Sequence, residues 1–120
     1  MSRVSPAAPG ASPRGFEVHP DARCLRGLHF VYVAPGLVDH DRLVERIRAA
    51  YPRQLVEGTE RWGAVTVQRL IVQFRFELRL GIRPGEISFI HRVLATPEQR
   101  ATDRDRFEAS LLATLAEGAP

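Results

Sequence analysis

The chain has 120 residues, of which 44% are hydrophobic and 26% charged, and a net charge of +3. That is material for one domain around one modest core. It leaves out a membrane span, since no run of about 18 apolar residues exists, and an internal disulfide, since Cys24 is the single cysteine. With no apolar leader at the N-terminus, a cytoplasmic location is the expectation. All 17 basic residues are Arg, the side chain whose planar fork grips carboxylates and phosphates in pairs of hydrogen bonds.

Residues 1–22 are rich in Pro, Ala, Ser and Gly and have no periodicity. Such a stretch buries too little surface to offset its ordering entropy, so a disordered tail is expected there. Residues 23–118 are expected to form a single α+β domain. Its first strand is Leu25 to Ala34, short, aromatic and β-branched, with Leu28, Phe30 and Tyr32 on one face. Pro35-Gly36 stops it.

A helix follows over Leu37 to Tyr51. Asp39 or Asp41 can cap its start, and Leu43, Val44, Ile47 and Tyr51 form one apolar stripe. Pro52 ends it. Residues 53–63 read as a loop, with Trp62 near its end.

Val65 to Leu80 carries the clearest pattern. Leu70, Val72, Phe74, Phe76, Leu78 and Leu80 are apolar and even-numbered, while Arg69, Gln73, Arg75, Glu77 and Arg79 alternate with them. Period two marks a strand with one buried and one open face. At about 3.3 Å per residue such a strand would be ~50 Å long, so it is expected to bend, bulge or project from the domain.

Gly81-Ile82-Arg83-Pro84-Gly85 is turn chemistry. The return strand, Glu86 to Ala95, places Ile87, Phe89, His91, Val93 and Ala95 on the core face. Two registers bring the apolar faces together. Pairing Leu80 with Ile87 sets Arg75 opposite Arg92. Pairing Leu80 with Phe89 sets Glu77 opposite Arg92 and Arg83 opposite Glu86, and this register is preferred on charge. A last helix opens at Thr96, with Pro97 in its first turn and Gln99 closing a capping box. Thr102 is a competing start. Phe107, Leu111 and Leu115 face the core.

The order β-α-β-β-α implies a two-layer α+β fold, an antiparallel sheet with a long hairpin and both helices on one face. It is a ferredoxin-like plait lacking the last strand. The alternative is a curved sheet gripping the C-terminal helix over a ligand cavity.

No motif names a reaction. His19, His29, His40 and His91 lack a second ligand at metal-binding spacing, so neither metal nor cofactor is expected. Cys24 has no His or Asp at a nucleophile's spacing. Residues 61–96 hold six Arg against Glu77 and Glu86, a local net of +4. The open face of the hairpin therefore supplies the binding candidates: Arg69, Ile71, Arg75, Arg79, Ile90 and Arg92, with Leu94 beside them.

The favoured reading is a non-enzymatic protein-binding or assembly module, a homo-oligomer or partner of another protein, docking by its open face or strand edges. An RNA- or DNA-binding module on the Arg face is the alternative, and it lacks aromatic residues for stacking there. A small-molecule pocket or enzyme around His91 is the third. No membrane partner is expected.

Overall fold

The computed structural model describes residues 15–21, 27–34 and 38–118. It is an α+β fold with a six-stranded, wholly antiparallel open sheet and two helices on one of its faces. The elements run β1 (Glu17–Pro20), β2 (His29–Val33), α1 (His40–Ala50), β3 (Leu55–Trp62), β4 (Val65–Val72), β5 (Phe76–Leu80), β6 (Glu86–His91) and α2 (Pro97–Gly118). The strand order is β1-β2-β6-β5-β4-β3. The return strand β6 lies between β2 and β5. The two-layer class holds, but the strand inventory is larger than the sequence pattern implied.

Three differences have physical causes. First, residues 15–21 of the N-terminal stretch pack against the sheet instead of forming a disordered tail. Phe16 is fully buried beside Tyr32, with ring centroids 5.6 Å apart, and β1 pairs with β2 from Glu17↔Val33 to Pro20↔Phe30. One aromatic anchor thus ties down a segment whose composition alone argues for disorder. Residues 1–14 and Cys24 lie outside the described residues.

Second, residues 55–62 form a full strand rather than a loop. Gly63 and Ala64 make a two-residue turn between the paired Trp62 and Val65. Gly63 has φ +63°, at the first central position that tight hairpins reserve for glycine.

Third, the long alternating strand is two strands. It folds back at Gln73-Phe74-Arg75, so that Val72 pairs with Phe76. A three-residue loop leaves even residues paired with even, and paired residues share a face. The alternation therefore runs through the turn unbroken. Phe74 sits at the tip with φ +68°, 72% exposed, and is not a core residue.

The preferred register is also overturned: Leu80 pairs with Ile87, not Phe89. The like-charge contact that counted against this register does not form. Arg75 stands opposite Arg92 only in its backbone, where the Arg92 amide donates to the Arg75 carbonyl at 2.9 Å. Its guanidinium turns into the helix layer and donates to Asp103 at 2.8 and 3.0 Å.

The helices match expectation more closely. The Asp39 carboxylate accepts from the Arg42 amide and caps α1, which buries Leu43, Val44 and Ile47. At the start of α2 the Thr96 hydroxyl accepts from the Gln99 amide, while the Gln99 side chain accepts from the Thr96 amide. That reciprocal capping box settles the helix start. Phe107 and Leu111 are buried against the sheet. Phe76 and Phe89 stack at 4.6 Å, and Tyr32 meets Phe107 at 4.8 Å. This aromatic layer fills the space that a sheet gripping α2 would leave as a ligand cavity.

Asp103 is fully buried within that layer. Besides Arg75 it accepts a 2.5 Å bond from the Tyr51 hydroxyl at the end of α1. One carboxylate therefore joins α1, α2 and the β4–β5 turn. Removing one partner of a buried pair leaves the other charge unpaired, at a cost of roughly 3–5 kcal/mol. Asp103→Ala is therefore expected to lower the unfolding free energy by that amount in urea titration. Arg75→Met, which removes the cation but keeps its stem, is expected to cost at least as much as Asp103→Ala, because it leaves the fully buried carboxylate without a counter-charge while the Arg75 guanidinium, 20% exposed, can turn to water when Asp103 is removed.

Candidate protein-docking face

The sheet face away from the helices presents the odd residues of β4 and β5 and the even residues of β3 and β6. Four sequence candidates meet there: Arg69, Ile71, Arg79 and Ile90. They surround Glu77, which pairs across the strands with Ile71 and Ile90. Glu77 is only 3% exposed although it belongs to the open face. Arg69 donates to both its carboxylate oxygens, at 2.7 and 2.9 Å, and Arg79 donates at 2.7 Å. Arg69 and Arg79 are themselves directly paired across β4 and β5, so Glu77 holds together two cations that would otherwise repel. Burial pushes the Glu77 carboxyl up, but the bonds from Arg69 and Arg79 outweigh it and hold its pKa below the usual glutamate value.

The network spreads outward. Arg69 also donates to Glu60 at 2.6 Å, and Glu60 accepts from the Trp62 indole at 2.7 Å. The Arg79 guanidinium lies 5.3 Å from the centre of the Trp62 ring. Trp62, Arg79 and Ser88 share a groove of about 500 Å³ with Pro20 and Asp21 at the other edge. The open face is thus concave, with the β3–β4 tip curling over it.

Arg75 is not part of this face, as its pairing with Asp103 shows. Arg92 and Leu94 lie at one end of it, in the turn between β6 and α2. With Val56, Ile71, Gln73, Phe74 and Val93 they line a groove of about 580 Å³. Its walls are apolar and open: Phe74 is 72% exposed, Leu94 82%, and Val56 and Val93 are also exposed.

Parity alone places Phe74 and Val93 in the core, yet both are exposed. Each lies just past a strand end, where parity no longer fixes direction. Val56 was placed in a loop. Gly63 is the turn signal that points to β3 and so to Val56, whereas Gln73-Phe74-Arg75 contains no turn-type residue.

His91 is a core residue. It is 4% exposed and lies on the helix face, in edge contact with the Phe89 ring at 4.9 Å and the Phe30 ring at 5.8 Å. Burial, with Arg104 and Arg100 nearby, pushes the imidazole down to about 4. It is neutral at pH 7 and enclosed by aromatic rings, so the pocket reading around it loses its support. The other histidines are dispersed. His19 meets Glu17 at 3.0 Å, His29 meets Asp21 at 3.1 Å, and His40 opens α1. Among the described residues no group of three or more His, Cys, Asp or Glu could hold a metal ion, and no helix is long and apolar enough to cross a membrane. Compared with known protein families, curated proteins and solved structures, the chain matches none of them.

Two outcomes follow from the buried ionisable groups. The His91 pKa is about 4 when folded and about 6.5 in an unfolded chain. Its contribution to stability is therefore fully present above pH 6.5 and is lost as the pH falls toward 4, by on the order of 3 kcal/mol. His91→Leu should flatten the thermal-stability profile between pH 7 and 4.5 relative to wild type. Glu77→Ala leaves Arg69 and Arg79 side by side without their shared anion, and is expected to cost about 3 kcal/mol in chemical denaturation. Arg79→Ala should cost less, because Arg69 still pairs with Glu77.

Proposed function

We propose that this chain is a non-enzymatic protein-binding module that assembles with a second copy of itself through its open sheet face and the adjoining strand edge. The observation that carries the reading is the apolar groove formed by Val56, Ile71, Phe74, Val93 and Leu94. Exposed apolar side chains are ordinary one at a time, but a contiguous group rimmed by polar residues such as Gln73 and Arg92 is the form of an interaction site.

The positive φ of Phe74 supports this reading. A left-handed backbone at a non-glycine residue costs roughly 1–2 kcal/mol. That cost displays an aromatic ring to solvent, and aromatic and Arg side chains are the residue types that concentrate binding energy at interfaces. The groove also adjoins β3, which pairs on one side only. A second copy is the favoured occupant because the neighbouring surface carries both signs of charge, with Glu57 and Glu60 beside Arg61 and Arg69, and so can complement itself.

A nucleic-acid surface is the weaker reading. Arg69 and Arg79 are neutralised by Glu77 and Glu60, and Arg75 faces the helices. Counterion release needs cations that reach phosphates unencumbered.

Light scattering coupled to size-exclusion chromatography is expected to show concentration-dependent dimers. Phe74→Asp and Leu94→Asp should each weaken association about tenfold or more, since a charge in a desolvated patch costs well over 1.4 kcal/mol. Their melting temperatures should stay close to wild type, because both side chains are exposed. A wild-type chain that is monomeric even at about 1 mM, where an association of only about −4 kcal/mol is visible, would sink the proposal.

A further inference from the structure

The sheet has two edges, and they differ. β1 has four residues and ends in Pro20, a short edge closed by a residue that cannot donate. β3 has eight residues, pairs with β4 at every one of them without a bulge, and is exposed from Val56 to Trp62. Nothing in its pairing blunts it. From this edge we infer that β3 pairs with β3 of a second copy, antiparallel about a two-fold axis at Thr59, with Glu57 opposite the partner's Arg61. The inference rests on the self-assembly reading above and names the register of that assembly.

Backbone direction narrows the choice first. In a two-residue hairpin the residues flanking the turn exchange both hydrogen bonds, and bonded pairs then recur at every second residue. Trp62 and Val65 flank this turn. The even residues of β3 therefore spend their amides and carbonyls on β4. The 3.1 Å bond from the Gln73 amide to the Gln54 carbonyl continues the same series. The odd residues, Glu57, Thr59 and Arg61, direct theirs outward. A second β3 can bond only where its own odd residues stand opposite, so a slip of one residue is excluded.

Charge and shape then select among the registers that remain. With Thr59 on the axis, Glu57 faces the partner's Arg61 and Arg61 faces the partner's Glu57. On the open face Val56 meets the partner's Trp62, covering two exposed apolar side chains per copy. Glu60 meets the partner's Gly58, which leaves room for it: a Cβ built on Gly58 would touch nothing within 4 Å. Sliding by two residues loses both ion pairs and both Val56–Trp62 contacts. Sliding by four sets Glu57 opposite Glu57, or Arg61 opposite Arg61. Arg48 donates to both oxygens of Glu57 at 2.6 and 2.7 Å and fixes its position in advance. The resulting sheet is continuous through two copies, and Trp62 of each lies along the rim of the other's Phe74–Leu94 groove. An isologous two-fold contact of this kind closes on itself as a dimer.

The test uses the full chain with Cys24→Ser as background. Thr59→Cys puts two thiols opposite each other on the axis, at the Cα separation of a bonded antiparallel pair, about 5.5 Å and within disulfide reach. Mild oxidation is expected to give a covalent dimer from Thr59→Cys and not from Val56→Cys, whose own copy lies far along the partner strand. Arg61→Glu places like charges opposite at both ends and should weaken dimerisation about tenfold. Glu57→Arg combined with Arg61→Glu should restore it. Thermal melts confirm that each variant is folded. A dimer by light scattering that Thr59→Cys fails to capture, or that Arg61→Glu leaves unchanged, overturns this register while leaving the assembly reading intact. A wild-type monomer overturns both.

Discussion

The buried carboxylate of Asp103 is the constraint from which the rest of the structure follows. A charge that far from water must be paired and hydrogen-bonded, and Asp103 takes both bonds of one guanidinium and a phenol. The guanidinium belongs to Arg75, in the β4–β5 turn. It lies in a three-residue turn that reverses the chain with Val72 against Phe76 and aims the guanidinium into the helix layer. The middle residue of that turn has left-handed geometry, with its side chain outward. That residue is Phe74. A core ion pair on one face of the sheet thus sits beside a large apolar side chain displayed on the surface, Phe74, 72% exposed. The same commitment sets the register of β5 on β6, because Arg75 can stand opposite Arg92 only if its charge is spent elsewhere.

Glu77 plays the matching part on the other face. Asp103 joins helices to sheet, whereas Glu77 joins strand to strand by accepting from Arg69 and Arg79 together. Three of the six Arg in this stretch, which by composition suggests a phosphate-binding surface, are therefore consumed by structure: Arg69, Arg75 and Arg79. In the assembly proposed above, the open face would offer a partner shape and apolar area at its ends, with mixed charge between. Surfaces of that composition discriminate by geometry more than by net field.

How much of this was legible in the sequence depended on burial. The stripes of α1 and α2, the Asp39 cap, the Thr96–Gln99 box and the buried even residues of β4 and β5 were readable because each rests on a local pattern that packing reinforces. Three features were not. The break at residues 73–75 is invisible to alternation, since an odd-length turn preserves parity. β3 carries no periodicity because both of its faces are exposed, so no selection for a buried side shaped it. β1 is too short for a pattern and is anchored by Phe16, with Val18 also packed against the core. The register failed for a related reason. Cross-strand charge pairing assumes that facing residues keep their side chains on the same surface, and Arg75, just outside the strand, does not. The sequence pattern places Arg69, Ile71, Arg79 and Ile90 on the open face and Arg92 and Leu94 near its end, as the structure does, but Phe74, the residue that gives the groove its character, was hidden by a parity that ends with the strand.

The β3–β4 ribbon gives the edge its significance. β5 pairs with β4 only from Gln68 to Val72, so the outer half of the ribbon, around Gly63, is two strands wide. A two-stranded ribbon is marginal alone in water. Here it leans on lateral contacts: Trp62 over Arg79, Glu60 on Arg69, and Arg48 on Glu57. At Gly81 (φ +95°) an added Cβ would lie 2.8 Å from the Thr66 carbonyl oxygen, so glycine lets the β5–β6 turn press directly on the ribbon backbone. These contacts hold the ribbon's position but leave the outward amides and carbonyls of β3 to water. Exposed ion pairs contribute little to stability, so the pairs along β3 add little to holding the domain together. Their value lies in orientation: they preset the side chains of Glu57, Glu60 and Trp62 along an edge whose backbone is still unpaired. A strand prepared in that way loses less conformational freedom on pairing, which favours an ordered partner strand of matching sequence over an arbitrary one.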